Sequence, residues 1–259
     1  MSTFGLHLKP DSLHSELNFY IEKLDSLIRE HGFVLMRGFD LSDDEFHKIT
    51  LKLGEPIDYA FGKILNMQPK TGSSESQFTH RSMALHQDSI LNQSKKANYL
   101  AFKCKVSPQK DTGGETLLTN NRKFLRDIPQ SLLDRLKQST VAYTSNSTEY
   151  YSGHAGLDRP IEQAPIIQHP TLKEEVLFIG LDDPEDENRN YQSWFLNMSS
   201  RESQNFMDEI DAYLRAPEVL YEHAWEEGDI LICDNFLVCH GRNSFVPGQM
   251  RHLIRYAIS

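Results

Sequence analysis

The spacing of apolar residues changes character near residue 55. Before it, Leu13, Leu17, Tyr20, Ile21, Leu24 and Ile28 recur every three or four positions, the spacing of one helix face. This predicts a helix over residues 12–31, stopped by Gly32. Phe33–Arg37 is a short apolar run closed by Gly38 and reads as a strand. Ser42-Asp43-Asp44-Glu45 has the form of a capping box, in which Ser and Glu satisfy the first free N–H groups of a helix. Phe46, Ile49 and Leu53 mark the apolar face of that helix, which ends at Gly54.

Beyond residue 55 the period shortens to two or disappears. Apolar or alternating runs occupy Ala97–Val106, Glu115–Thr119, Thr140–Thr144, Val176–Ile179, Val219–Trp225, Asp229–Cys233 and Arg251–Ile258. Clusters of Gly, Pro, Asn and Asp separate them, as in an antiparallel sandwich or barrel. Helical interludes fall at Pro129–Lys137 and Ser200–Leu214. The acidic run Asp182–Glu187 reads as a solvated loop. The pattern predicts a mainly β fold with helical decoration around a double-stranded β-helix (jelly-roll, cupin-like) core, in one domain spanning 1–259.

Composition narrows the function by exclusion. No apolar run approaches the roughly 18 residues that span a bilayer, and the N-terminus lacks the basic-then-apolar pattern of a secretory leader. The expected location is the cytoplasm, with no membrane partner. A formal charge of −10, with Lys95-Lys96 the densest basic pair, argues against a nucleic-acid surface. Cys104, Cys233 and Cys239 are odd in number and show no CxxC spacing, so they read as small buried hydrophobes.

His86-Gln87-Asp88 sets two metal-capable side chains at i and i+2, which in a strand face the same side. A third ligand, His240, lies far downstream in a run from Trp225 to Arg242. Two His and one carboxylate leave open positions on a metal, the arrangement of non-haem Fe(II) oxygenases, whereas a structural zinc site fills four protein positions. Arg251 follows His240 by eleven residues, at the head of the last strand. There it can offer a two-pronged guanidinium fork to a carboxylate. Arg255, four residues on, shares its face and could bind a substrate carboxylate or sit in a salt bridge. Arg81 and His80 could line the entrance or belong to a solvated loop. The polar stretches Ile64–Leu85 and Ser145–Pro165 are candidate lids.

Taken together these segments resemble the taurine dioxygenase (TauD/TfdA) family of Fe(II)/2-oxoglutarate oxygenases. Gly32–Phe39 is similar to the family's N-terminal strand, and His86-Gln-Asp88 to its first ligand pair. Gly113-Gly-Glu-Thr116 resembles the segment whose threonine helps hold 2-oxoglutarate, and Arg251 the anchor of that co-substrate's distal carboxylate. Phe61–Leu65, Tyr221–Trp225 and Arg251–Arg255 are similar to the subgroup that includes the oxygenase of paerucumarin (isonitrile) biosynthesis. The resemblance implies Fe(II) on His86, Asp88 and His240, with 2-oxoglutarate on Thr116 and Arg251 and O₂ as the second co-substrate. It implies hydroxylation or desaturation of a small, carboxylate-bearing amino-acid derivative in specialised metabolism. Halogenases of this class lack the carboxylate ligand, so Asp88 points away from halogenation. The alternatives are a cupin-type metalloenzyme that does not use 2-oxoglutarate, or a catalytically inactive metal-binding sensor of the same fold.

Overall fold

The computed structural model describes residues 3–10, 20–59, 61–92, 96–145, 159–183 and 189–259. The first half of the helix expected over 12–31, Lys95, most of the acidic run and most of the second candidate lid lie outside the described residues.

Two sheets carry the fold. The larger has six strands: β1 (Leu6–Leu8), β2 (Phe33–Met36), β3 (Leu65–Met67), β5 (Tyr99–Val106), β13 (Ile230–Asp234) and β15 (His252–Ile258). Their spatial order is β1-β2-β13-β5-β15-β3. Only the β1–β2 pairing is parallel; Ile232 sits opposite both Val34 and Ala101, and Tyr256 opposite Ala101. The smaller sheet runs β12 (Leu220–His223), β6 (Thr116–Thr119), β14 (His240–Arg242), β4 (Met83–His86). The strand β7 (Val141–Ser145) pairs with β8 (Ile161–Gln163) and β11 (Tyr191–Phe195), and β9 (Ile166–Gln168) with β10 (Glu175–Leu177).

The six-stranded sheet is covered on both faces. Val34, Met36, Ala101, Ile232, Ile254 and Tyr256 point one way and pack on Leu24 and Ile28 of helix α1 (Leu24–His31) and on Phe46 and Ile49 of α2 (Asp43–Leu51). Their alternates Phe33, Leu35, Phe102, Leu231 and Leu253 join Leu85 and Leu118 of the smaller sheet in the main core. Double burial explains why β2 and β13 read as unbroken apolar runs rather than as alternation. The α2 capping box forms: Glu45 N–H donates to Ser42 Oγ at 3.2 Å, and Ser42 N–H to Glu45 Oε2 at 2.8 Å.

Three further helices, α3 (Asn121–Asp127), α4 (Gln130–Lys137) and α5 (Ser200–Leu214), are described. The two helical interludes expected from the sequence are α4 and α5. The strands β1, β3, β8, β9, β11 and β14 and the helix α3 were not expected as elements; most span three residues, too few to show a period. Among the described residues no helix is long and apolar enough to cross a membrane. The chain is therefore mainly β with helices, and all three cysteines are free and buried.

Candidate metal centre and its surroundings

The site forms where the two sheets face each other. β4 and β14 are neighbours, and their register sets His86 directly opposite His240, with ring centroids 4.2 Å apart. Asp88 lies just past the end of β4. Gln87, between the ligands, points the other way into the core, where its Oε1 accepts from Ile179 N–H at 2.7 Å. That alternation turns His86 and Asp88 to one side.

Beyond β4 the chain is held by Asn235. Its Oδ1 accepts from Asp88 N–H at 2.9 Å, and its Nδ2 donates to the carbonyls of Asp88 at 3.0 Å and Ala97 at 2.9 Å. Asn235 is fully buried, so the carboxylate projects from a clamped backbone. Ser89, next along, takes a left-handed φ of 69°, a conformation that non-glycine residues adopt at a cost.

His86, Asp88 and His240 each offer one ligand atom, and the three atoms lie within 4.8 Å of one another. His86 Nε2 is 3.8 Å and His240 Nε2 3.6 Å from Asp88 Oδ1. His86 Nδ1 lies 2.8 Å from the Ala84 carbonyl, which selects the tautomer whose Nε2 lone pair faces Asp88. Burial lowers the pKa of both imidazoles, that of His240 to about 3 with His86 adding to the effect. Both rings are therefore neutral and able to donate. Burial works to raise the Asp88 pKa, but the charge of Arg255 is the first of the influences that outweigh it and hold the carboxyl below its usual range. Two neutral nitrogens and one carboxylate oxygen, with room beside them, suit a divalent iron.

Arg251 occupies the same cavity from the opposite sheet. Its Nε donates to the Gly114 carbonyl at 2.8 Å and its Nη2 to Thr116 Oγ1 at 3.0 Å. Burial lowers its pKa to about 10, so it stays charged at neutral pH. Gly113 and Gly114 both have left-handed φ, 85° and 88°. A Cβ on Gly113 would meet the Ser244 carbonyl at 2.1 Å, and one on Gly114 would press on Arg251 Cδ at 3.2 Å. The glycine pair thus lets the backbone pass close enough to cradle the guanidinium. Trp225, buried at the edge of the smaller sheet, donates from Nε1 to the same Thr116 Oγ1 at 2.9 Å.

The sequence-predicted residues do not all converge. His86, Asp88, His240, Thr116, Arg251 and Arg255 line one cavity. Arg255 faces inward as its strand parity requires, and its Nη1 donates to Asp88 Oδ2. The partner it meets is therefore a protein carboxylate. Arg81 is not among the lining residues, and its Nη2 donates to the Ser74 carbonyl at 3.1 Å. From the first candidate lid, Ser76, Gln77 and Met83 form part of the cavity wall. Sequence reasoning missed Asn235, which carries no motif, and gave Trp225 no role. It also missed Arg242, which shares the strand parity of His240 and could have been found by the argument used for Arg255.

Comparison with known proteins agrees with this geometry. The sequence profile of the taurine catabolism dioxygenase TauD, TfdA family matches residues 7–257. The chain belongs to this family. It is accordingly an iron- and 2-oxoglutarate-dependent oxygenase, as its buried two-His, one-Asp cluster and facing arginine lead one to expect. Membership answers the alternative of a cupin enzyme that dispenses with 2-oxoglutarate.

Several of the similar proteins have names that refer to isonitriles. The chain is 26% identical over 262 residues to the 3-((Z)-2-isocyanoethenyl)-1H-indole synthase of Fischerella ambigua, covering 100% of this chain and 93% of that protein. It is 26% identical over 267 residues to the tyrosine isonitrile desaturase of Erwinia amylovora, covering 99% and 87%. Among solved structures, PvcB of Pseudomonas aeruginosa superposes with a TM-score of 0.77 at 22% identity, covering 98% of this chain and 86% of PvcB. A second PvcB structure, described as an Fe, alpha-ketoglutarate dependent oxygenase from an isonitrile synthetic pathway, gives a TM-score of 0.74.

Proposed function

We propose that this protein desaturates an amino-acid-derived isonitrile in specialised metabolism. One observation supports the reading most: the His86–Asp88–His240 cluster and the Arg251–Thr116 pair face each other across one cavity, in a chain similar over nearly its whole length to two isonitrile-forming or isonitrile-desaturating enzymes. In this assignment His86, Asp88 and His240 hold Fe(II), while Arg251 and the Thr116 hydroxyl hold the distal carboxylate of 2-oxoglutarate. When bound, the metal and its co-substrate supply an oxidant by converting 2-oxoglutarate and O₂ to succinate and CO₂. For desaturation, two hydrogens leave the substrate and the second oxygen atom departs as water.

The protein's own share is orientation and the exclusion of water. Arg255 neutralises Asp88 and holds its Oδ2, leaving Oδ1 for the metal. Leu65, Met67, Phe102 and Leu253 give the cavity an apolar wall suited to an aromatic side chain. We read residues 1–259 as a single jelly-roll domain, on the strength of two facing sheets that share one core, and place it in the cytoplasm, in keeping with three unpaired buried cysteines.

The test is to supply Fe(II), 2-oxoglutarate and O₂ with the isonitriles of L-tyrosine and L-tryptophan, and to measure succinate and product mass. Substrate-dependent succinate matched by a product lacking two hydrogens is the expected result. A product that has gained oxygen would move the assignment to hydroxylation. Succinate unchanged by either isonitrile would remove the substrate assignment.

A further inference from the structure

The cavity holds one more cation than its iron and co-substrate can use. Among the described residues four arginines line it, Arg189, Arg242, Arg251 and Arg255, against three aspartates, Asp88, Asp182 and Asp183. Arg255 meets Asp88, and Arg189 meets Asp182 at 3.1 Å. Arg251 takes the distal carboxylate of 2-oxoglutarate, and with Asp183 counted among the anions, Fe(II) and the 2-oxoglutarate dianion cancel over the cavity as a whole. A single positive charge is left over.

Among the described residues, Arg242 is the lining arginine that neither an aspartate nor the co-substrate meets. It is 4% exposed and has no carboxylate partner among the described residues. Its Nε donates to the Arg81 carbonyl at 3.2 Å, and its Nη2 to the carbonyls of Ser76, at 2.9 Å, and Arg81. These bonds fix the plane of the guanidinium and leave Nη1 without a hydrogen bond among the described residues. A buried guanidinium that meets carbonyl dipoles and the Phe245 ring, and no carboxylate among the described residues, is costly to maintain, and an anion relieves that cost.

Position gives the anion a purpose. Arg242 is two residues beyond His240 in β14, on the same face, so the two side chains stand about 6.5 Å apart along the strand. A carboxylate on Arg242 lies beside the metal position rather than on it. In a 2-isocyano-3-arylpropanoate, the carbon that bears the aryl group is two bonds from the carboxylate carbon. Anchoring the acid at Arg242 lets the two carbons that would lose hydrogen reach the metal while the ring meets the apolar wall.

We propose that Arg242, not Arg255, is the anion anchor of the primary-substrate subsite, and that its ligand is the carboxylate of an aromatic amino acid modified at nitrogen. The inference rests on the isonitrile reading above for the rest of the substrate, but the anion subsite stands on the charges of the cavity. Arg255 is already committed to Asp88, whereas Arg242 keeps Nη1 to donate a charge-assisted hydrogen bond to a ligand carboxylate.

The experiment is calorimetric titration under argon of Mn(II)- and 2-oxoglutarate-loaded enzyme with tyrosine isonitrile and with its methyl ester. Wild type should bind the acid about ten- to hundred-fold tighter than the ester. Arg242→Gln should erase that preference while leaving 2-oxoglutarate affinity unchanged, and Arg242→Lys should restore part of it. Should Arg242→Gln not fold, Arg242→Lys carries the comparison through a reduced preference. Equal binding of acid and ester by wild type, or a full preference kept by Arg242→Gln, overturns the proposal. So does a variant that loses 2-oxoglutarate but still prefers the acid, because Arg242 would then serve the co-substrate. If neither isonitrile binds wild type, the isonitrile reading fails. The subsite is then decided by 3-(4-hydroxyphenyl)propanoate against its amide, where no preference for the acid overturns it.

Discussion

Replacing Trp225 with Phe tests how Thr116 is prepared to meet the co-substrate. The Thr116 oxygen accepts two hydrogen bonds, from Trp225 Nε1 at 2.9 Å and Arg251 Nη2 at 3.0 Å. A hydroxyl oxygen has two lone pairs and one proton. With both lone pairs engaged, the O–H is directed away from its donors, into the cavity, where a carboxylate can accept it. Phe keeps the ring that packs near Phe102 and His223 but removes the N–H donor. One neutral hydrogen bond contributes about 1 kcal/mol net, which corresponds to roughly five-fold in affinity at 1.4 kcal/mol per ten-fold. The freed lone pair also lets the hydroxyl rotate, so the effect falls on 2-oxoglutarate. The assay is anaerobic titration of metal-loaded enzyme with 2-oxoglutarate, in wild type, Trp225→Phe, Thr116→Val and the double variant. The dissociation constant should rise roughly five-fold in Trp225→Phe. The double variant should bind no worse than Thr116→Val, because Trp225 acts only through the hydroxyl. Unchanged affinity in Trp225→Phe, or fully additive losses, would refute this account of Thr116.

Three further outcomes are expected. Arg251→Lys replaces a two-pronged clamp with a point charge; losing one charge-assisted hydrogen bond costs about 1.5–3 kcal/mol, so the KM for 2-oxoglutarate should rise roughly ten- to hundred-fold while that for substrate stays put in steady-state assays. Asn235→Ala releases the backbone of Asp88 and should weaken metal binding in equilibrium dialysis, and wild-type metal affinity would leave Asn235 a purely structural residue. The buried Asp229 lies between Arg37 and His223, whose Nε2 is 3.1 Å away: burial would raise its pKa, but hydrogen bonds from Arg37 and the Glu226 N–H, with His223 alongside, hold it at about 2. A carboxylate depressed below its unfolded value of about 3.9 stabilises the fold above that pH and loses the effect as pH falls toward 2. Asp229→Asn breaks a buried pair, about 3 kcal/mol at neutral pH or roughly ten degrees of Tm, and calorimetric scans should show the gap from wild type closing between pH 4 and 2.

The legible parts of the chain were those where one physical signal dominates. The capping box at Ser42 and the i, i+2 pair at His86 and Asp88 are local, so spacing alone displays them. The long strands β5, β13 and β15 showed as apolar runs because their sheet is covered on both faces. What was hidden depends on contacts between distant segments. β14 is three residues long and is defined by its neighbours β4 and β6 rather than by any period. Arg255 was expected to face the cavity, but whether it meets a ligand or Asp88 depends on two strands far apart in sequence. Asn235 earns its place only through the fold that brings it against Asp88.

The central claim is that His86, Asp88 and His240 form one iron site and that 2-oxoglutarate binds there with Arg251. Calorimetric titration under argon of Fe(II), then of 2-oxoglutarate, into wild type and Asp88→Ala tests it most directly. The account predicts one iron per wild-type chain, 2-oxoglutarate binding that depends on that iron, and the loss of both in Asp88→Ala. Iron bound by Asp88→Ala with wild-type affinity, or 2-oxoglutarate bound equally well without metal, would contradict it.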